Sequence, residues 1–457
     1  MPSAASIPSY NAPVYRLPPE LLSHVFLQSL PEQLFEARLN RRSRPLVISH
    51  VCGYWRDVSL NMPELWRCIS LTSCASRYEH HSRKLARLYV RRTKGLDLSI
   101  HYSDAEAAIT ITNPLETTFL QRGVRMLPEE DRCYCALDLV IKHVARLRLF
   151  EAVVGNSSAA RLSSISPLSA SALQRLQVEF LQEGDHTRYL STLVMTSPRL
   201  RWLHWTSHMG VCTISPPAEA AWSQFVEAFL GKCTITHDAL LNILAVGQCL
   251  KEVTVSISRG THASEPPRER FRQAVLEQLY IHGSEPLDKV LSALQLPALR
   301  SFSLRSKSHD LQHWPCRDTR VLRDFIASVQ ALDVLELTPS GSLHEGPLID
   351  ILSLPSSSSL TELYVELPMI TDDLINRLRP SAKSGIPLLP HLRKLSLGEC
   401  ITTDGVVARM LRARCKYCYP LWNAQISFRR CDNDKHPVDD VELRRLDQFG
   451  MFARGFY

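Results

Sequence analysis

LRSFSL (299–304), LDVLEL (332–337), LTELYV (360–365) and LRKLSL (392–397) share one pattern, with apolar residues at the first, fourth and sixth positions and, Val334 apart, polar residues or Tyr between. The fourth and sixth positions lie on one side of an extended chain, so each segment reads as a strand with one buried side. Five more segments fit: VARLRL (144–149), LQRLQV (173–178), LRWLHW (200–205), LKEVTV (250–255) and LEQLYI (276–281). Their fourth positions are 147, 176, 203, 253, 279, 302, 335, 363 and 395. Between 203 and 253 one step is about double the others, and it is halved if Ala228 in FVEAFL (225–230) belongs to an irregular tenth copy. A recurrence of this length, in units too small to bury their own apolar side, predicts stacked repeats over 140–411. Each repeat supplies one strand of a curved parallel sheet, with helices on its convex side.

Three Ile-Thr segments support helices behind the strands: ITHDALLNIL (235–244), ITDDLINRL (370–378) and ITTDGVVARML (401–411). In each, Asp follows the Ile by three residues, and Thr or Asp can accept the unpaired N–H groups of a helix start. LGKCTIT (230–236) and LGECITT (397–403) also share a Leu-Gly-x-Cys lead-in. These segments resemble the cysteine-containing leucine-rich repeat that accompanies F-boxes in many ligase adaptors. The strand residues alternating with the apolar anchors are expected on the open concave face. Arg146, Arg148, Trp202, His204, Gln278, Tyr280, His282, Glu362, Tyr364 and Glu366 are the candidates there for reading a target protein. Polar connections at 156–171, 258–270, 306–319 and 355–359 separate repeats rather than domains.

The N-terminal part reads differently. Leu17-Pro18-Pro19-Glu20 opens a helix to about Leu30, since proline suits a first turn and an acid its positive end. Leu21, Leu22, Val25 and Phe26 form its apolar stripe. A second helix is expected at about 46–58, with Val47, Val51 and Trp55 spaced by four and with Ile48 and Cys52 widening the stripe. An arginine-rich insert, 31–45, joins the two. So short a pair cannot bury all this apolar surface alone. LPPELLSHVFL, PLVISHVCGYWRDVSL and MPELWRCISL, in this order over 17–72, resemble the F-box-like domain at the start of many fungal proteins. The resemblance implies a three-helix module that docks on a Skp-type adaptor and so joins a cullin-based ubiquitin ligase. Carried over by position, Leu17, Pro18, Leu21, Leu22, Val25, Phe26, Val51, Cys52 and Trp55 are the implied docking residues. Residues 1–16 are expected as a flexible tail, 73–139 as a linker helix and entry to the repeats, and 412–457 as a cap.

The composition of the 457 residues, 45% hydrophobic and 22% charged, excludes a disordered chain. No apolar run is long enough to cross a bilayer, and MPSAASIPSYNAPVYR lacks an export signal, which places the expectation in the cytoplasm, the nucleus or both. Thirteen cysteines, mostly single among apolar neighbours, fit reduced thiols. The formal net charge is +7, yet thirteen Lys and Arg against three acids lie between Arg38 and Lys94. That basic field suits an acidic partner; nucleic acid is disfavoured, because these arginines do not alternate regularly with stacking aromatics.

Glycine-rich phosphate loops, dinucleotide fingerprints and nucleophile elbows are absent from the sequence, so a non-enzymatic protein without cofactor is expected. Cys415, Cys418, Cys431 and His436 have spacings resembling a zinc site, but Tyr417, Tyr419, Leu421 and Trp422 around them favour a metal-free aromatic cap.

Overall fold

The computed structural model describes residues 17–73, 81–104, 133–165, 170–181, 190, 193–195, 197–207, 222–257, 271–283, 285–306, 316–338, 343–380, 388–417, 421–429, 436–448 and 452–456. The chain divides into two compact units, residues 1–212 with 217–220, and residues 213–216 with 221–457.

The first unit opens with α1 (Pro19–Gln28), α2 (Arg44–Ser49) and α3 (Gly53–Leu60). Five strands follow, β1 (Cys68–Thr72), β2 (Leu98–Ser103), β3 (Leu147–Val154), β4 (Arg175–Phe180) and β5 (Trp202–Ser207), each parallel to the next. Helices α4 (His81–Arg92), α5 (Cys135–Lys142) and α6 (Asn156–Leu162) lie in the connections and touch in sequence, α4 on α5 and α5 on α6. The helical module shares its core with the first strands. Trp66, fully buried, donates from Nε1 to the Ser59 carbonyl at 2.9 Å and meets Tyr89 of α4 edge-on at 4.9 Å. The helices therefore belong to the same compact unit as the first strands.

The second unit repeats one plan. β6 (Glu227–Ile235), β7 (Glu252–Ile257), β9 (Gln278–Gly283), β11 (Ser301–Arg305), β12 (Val334–Thr338), β13 (Glu362–Ile370), β14 (Lys394–Cys400), β15 (Asn423–Phe428) and β16 (Phe452–Phe456) form a parallel sheet in that order. A separate parallel pair joins β8 (Phe271–Arg272) and β10 (Leu294–Gln295). Helices such as Asp288–Ala293, Thr319–Ala327 and Glu345–Leu352 occupy the connections and pack each on the next. Each unit is thus a solenoid-like α/β repeat.

Register follows the sequence period. The predicted fourth positions pair directly: Ala228 with Val253, then Leu279, Phe302, Leu335, Leu363 and Leu395, and in the first unit Leu176 with Leu203. FVEAFL is therefore a strand of the ladder, and its Phe225, Ala228 and Leu230 are buried. Of the anchors in the nine predicted segments, all are buried except Leu149. A β-bulge between Leu98 and Ser99 shifts the pairing there, turns Leu149 away from the core and puts Phe150 in register with Leu176.

Two expectations need correction, and the structure adds detail to the insert. Parallel strands lie outside 140–411: β1 and β2 fall before it, and β15 and β16 occupy the region expected as a cap. The helix expected at 46–58 is two helices, because Cys52 is extended (φ −159°, ψ 173°) and its Sγ accepts from the Trp55 amide, starting α3 afresh. The insert 31–45 is integrated into the fold: Leu34–Glu36 form a 3-10 turn, Arg38 bridges Ser70 of β1, and the Ser43 hydroxyl lies 2.7 Å from that of Tyr89. The tail expected at 1–16 lies outside the described residues.

Candidate protein-interaction surfaces

On α1, Leu22 and Phe26 are one turn apart and fully buried, and the Phe26 ring lies 5.0 Å from that of Trp55. Beside them Leu21 and Val25, also one turn apart, face solvent at 55% and 52% exposure, and Leu17, just before the helix, at 39%. Val47 and Val51 are exposed to 49% and 55%, and border a hollow of about 530 Å³ lined with Leu46, Arg41 and His50. Polar ties hold these elements together. Tyr54 Oη donates to the Leu17 carbonyl at 2.8 Å, Arg56 Nε to Ser49 at 2.9 Å, and an Arg44 guanidinium N–H to the Ser29 carbonyl.

The predicted docking residues therefore separate by burial. Leu17, Pro18, Leu21, Val25 and Val51 are exposed. Leu22 and Phe26 are core residues that no partner can touch without unfolding α1, a correction forced by the internal packing partner Trp55. Cys52 and Trp55 are half-buried, and the Trp55 Nε1–H is buried with no acceptor among the described residues. Val47 was legible only as helix stripe; its spacing of four from Val51 is the signal that also adds it to the surface.

In the second unit the alternation of the strands leaves one sheet face half-exposed. This is unusual for a parallel sheet, which is ordinarily covered on both sides. Register sets Thr254, Tyr280, Ser303, Glu336, Tyr364, Ser396 and Gln425 in one row. Beside it run Gln278, Ser301, Val334, Glu362 and Lys394 on one flank, and His282, Arg305, Thr338 and Glu366 on the other. The predicted Tyr280, His282, Glu362, Tyr364 and Glu366 are thus brought together. Ser303 Oγ donates to Glu336 at 2.7 Å, Arg305 pairs with Glu336 at 2.6 Å, and Lys394 pairs with Glu362 at 2.7 Å. Tyr364 Oη donates to Glu362 at 2.8 Å; burial first, then that bond and the charges of Glu362 and Glu336, push its hydroxyl pKa up. Glu227, Glu252 and Glu366 add further carboxylates, so the face is acidic. Glu336 and Ser303, missed from sequence, sit at the strand position that named Tyr280 and Tyr364.

The first unit has its own row, Ser70, His101, Glu151, Gln177 and His204, with Trp202 alongside on β5. Burial and the Arg38 guanidinium drive the His101 pKa down to about 4, and burial raises that of Glu151 against the pull of Arg175 and His204. Arg148 is exposed and donates to Gln174 at 3.1 Å. Arg146 departs from expectation: it precedes β3, and its guanidinium bonds the Leu96 carbonyl at 3.1 Å and the Thr93 hydroxyl at 2.6 Å, away from the strand row.

Of the cysteine-histidine group, Cys418 and Cys431 lie outside the described residues. Cys415 is exposed on helix Val406–Tyr417, whereas buried His436 stacks on Phe428 at 4.2 Å. Asp404, His436 and Asp439 bring ligand-type atoms within 4.8 Å of one another. Asp404 already accepts the Val438 and Asp439 amides at 3.1 Å, and Asp439 the Ala408 amide at 2.7 Å, so both carboxylates serve as helix caps. The same device recurs where Glu345 accepts from Thr371 and Leu374, and Asp372 from Thr403. Asp404 thus caps the next repeat's helix and not its own. Thr236 and Thr371 cap their own helices, as the sequence suggests.

No family model and no curated protein matches the sequence. A crystal structure of a Bacteroides fragilis protein is similar at 13% identity, with a TM-score of 0.35, over 61% of this chain and 71% of that one. Likeness at that level bears on neither fold nor function. Among the described residues no helix is long and apolar enough to cross a membrane.

Proposed function

We propose that the chain is a non-enzymatic substrate adaptor of a Skp-cullin-F-box ubiquitin ligase. The N-terminal helices dock a Skp-type adaptor, and the repeats, read as leucine-rich, hold a target protein. The observation that carries the first half is the exposed apolar surface of Leu17, Leu21, Val25, Val47 and Val51 on a module whose own core is filled by Leu22, Phe26 and Trp66. Aliphatic side chains half in water on paired helices gain by transfer to a partner, at most about 1 kcal/mol each. The target half rests on the open, acidic sheet face, whose Tyr280, Tyr364, Glu336 and Glu366 suit a basic segment. The adaptor contributes proximity, raising the concentration of target lysines near a catalytic subunit.

The test is co-expression of the full chain with a Skp-type adaptor and co-purification, with Leu17→Ala plus Leu21→Ala as control. A stable pair lost in the double variant is expected. A folded wild-type chain that never co-purifies with the adaptor would remove the ligase role.

A further inference from the structure

Helix α4 carries Arg83, Arg87 and Arg91 at intervals of four on one face, while its Ala86, Tyr89 and Val90 are buried, Val90 beside the arginines. Like charges so spaced repel, at roughly 0.2–0.5 kcal/mol per pair, so the arrangement weakens the isolated helix. Across from them, α5 and the turn after it present Lys142, His143 and Arg146, and the two elements enclose a cleft of about 630 Å³. Gly95 at the end of α4, with φ +94°, also lines it, and no atom stands within 4 Å of where its Cβ would be. Asp138 is the one acidic lining residue, and it is held by Arg161 at 2.7 Å outside the cleft. No ion pair to a described carboxylate engages Arg83, Arg87, Arg91 or Lys142. Arg146, tied to Leu96 and Thr93, is fixed in place, so the floor is preorganised.

We propose that this cleft is a binding site for a small phosphorylated molecule carrying two or more phosphate groups. Its volume is that of a ligand pocket rather than the flat footprint of a folded partner. Arginine forks bond phosphate oxygens two at a time, and the three arginines of α4 span about 12 Å along the axis, which suits several phosphates in a row. The lining has no Phe, Tyr or Trp for stacking bases, which disfavours a nucleic-acid strand. His143, whose pKa is lowered by burial and by the Arg146 and Lys142 charges, gives an internal reporter, since an anion placed beside it favours its protonated form. The site lies on α4 and α5, apart from the apolar surface of α1 and α2, and does not depend on the ligase reading.

The experiment is calorimetric titration of the full chain with inorganic phosphate, pyrophosphate and tripolyphosphate, and with a single-stranded oligonucleotide, at two salt concentrations. Tripolyphosphate is expected to bind at least tenfold more tightly than phosphate, and to raise the His143 pKa followed by NMR. Arg87→Glu with Arg91→Glu, both exposed, should weaken it more than tenfold with an unchanged melting temperature. Arg320→Glu with Arg323→Glu removes the same charge elsewhere and should leave binding intact. No binding of tripolyphosphate, equal loss in both double variants, or tighter binding of the oligonucleotide would overturn the proposal.

Discussion

Leu21 and Leu22 are adjacent, chemically identical and placed in opposite environments, which makes the pair a direct test of what α1 is for. Leu22 is 1% exposed, and truncation to alanine removes buried methyl groups and leaves a cavity, at about 2–5 kcal/mol of folding stability. Leu21 is 55% exposed, so Leu21→Ala should change stability by less than about 0.5 kcal/mol. Its effect should appear in docking. Full burial of a leucine side chain is worth about 1.5–3 kcal/mol, and about half of that remains to be gained here, so affinity for the adaptor should fall about fivefold. Extending the change to Leu17, Val25 and Val51 should bring the loss to roughly a thousandfold. Urea unfolding of the purified chain reads the first quantity and calorimetric titration with the adaptor the second. If Leu21→Ala loses 2 kcal/mol or more, the side chain packs internally and the docking argument fails. If the fourfold variant binds as tightly as wild type, the exposed row is not the interface.

Arg414 is fully buried and donates to the carbonyls of Leu378, Leu388 and Leu389 at 3.0, 2.9 and 3.1 Å; Leu389 has a positive φ of 55° that this clamp helps to hold. Arg414→Met leaves three acceptors without their donor and should cost at least about 3 kcal/mol, read as a fall in melting temperature. Gly247 ends helix His237–Val246, and a Cβ there would overlap the Leu250 side chain and stand 2.7 Å from the Ile243 carbonyl oxygen. Gly247→Ala should therefore destabilise by about 1–3 kcal/mol in the same assay. His101 is held neutral, with its pKa lowered from 6.5 to about 4, so between those values the unfolded chain binds more protons. As pH is lowered from 6.5 to about 4, stability should fall by up to about 3 kcal/mol before screening by solvent, and His101→Gln should flatten that part of the profile in denaturation at pH 7, 5.5 and 4.

The ladder was legible because its two demands, an apolar side every second residue and one strand per repeat, both leave marks in sequence. Where the template failed, a physical cause is visible. WRCISL (66–71) fits it, with Trp66, Ile69 and Leu71 all buried, yet the same residues also close the stretch that resembles an F-box and so hid the first strand. LWNAQI (421–426) fits too, but Trp422 and the nearby cysteines drew the reading toward a cap. β2 escapes because Gly95 stands where the first anchor should be; β3 is found through VARLRL, and only its Leu149 is misassigned, because a bulge moves the core side by one residue. Spacing of apolar residues does not encode bulges, since they arise from pairing with a neighbour.

The candidate surfaces were less legible, for a reason the residues make plain. A stripe of Leu21, Leu22, Val25 and Phe26 wraps too far round α1 to face one way, and which half turns inward depends on where Trp55 lies, after a break at Cys52 that the helical period ignores. Sequence thus marked α1 as amphipathic and merged its core with its outer face. On the sheet, alternation named Tyr280 and Tyr364 but not the serine and glutamate between them, because only register makes Ser303 and Glu336 their neighbours. The same holds for the cation-lined cleft. Arg83, Arg87 and Arg91 are only part of a basic stretch in sequence until α5, some fifty residues on, brings Lys142 and Arg146 against them. Charge spacing along one element reports what that element can present, while burial and pairing between elements decide whether water or a ligand meets it.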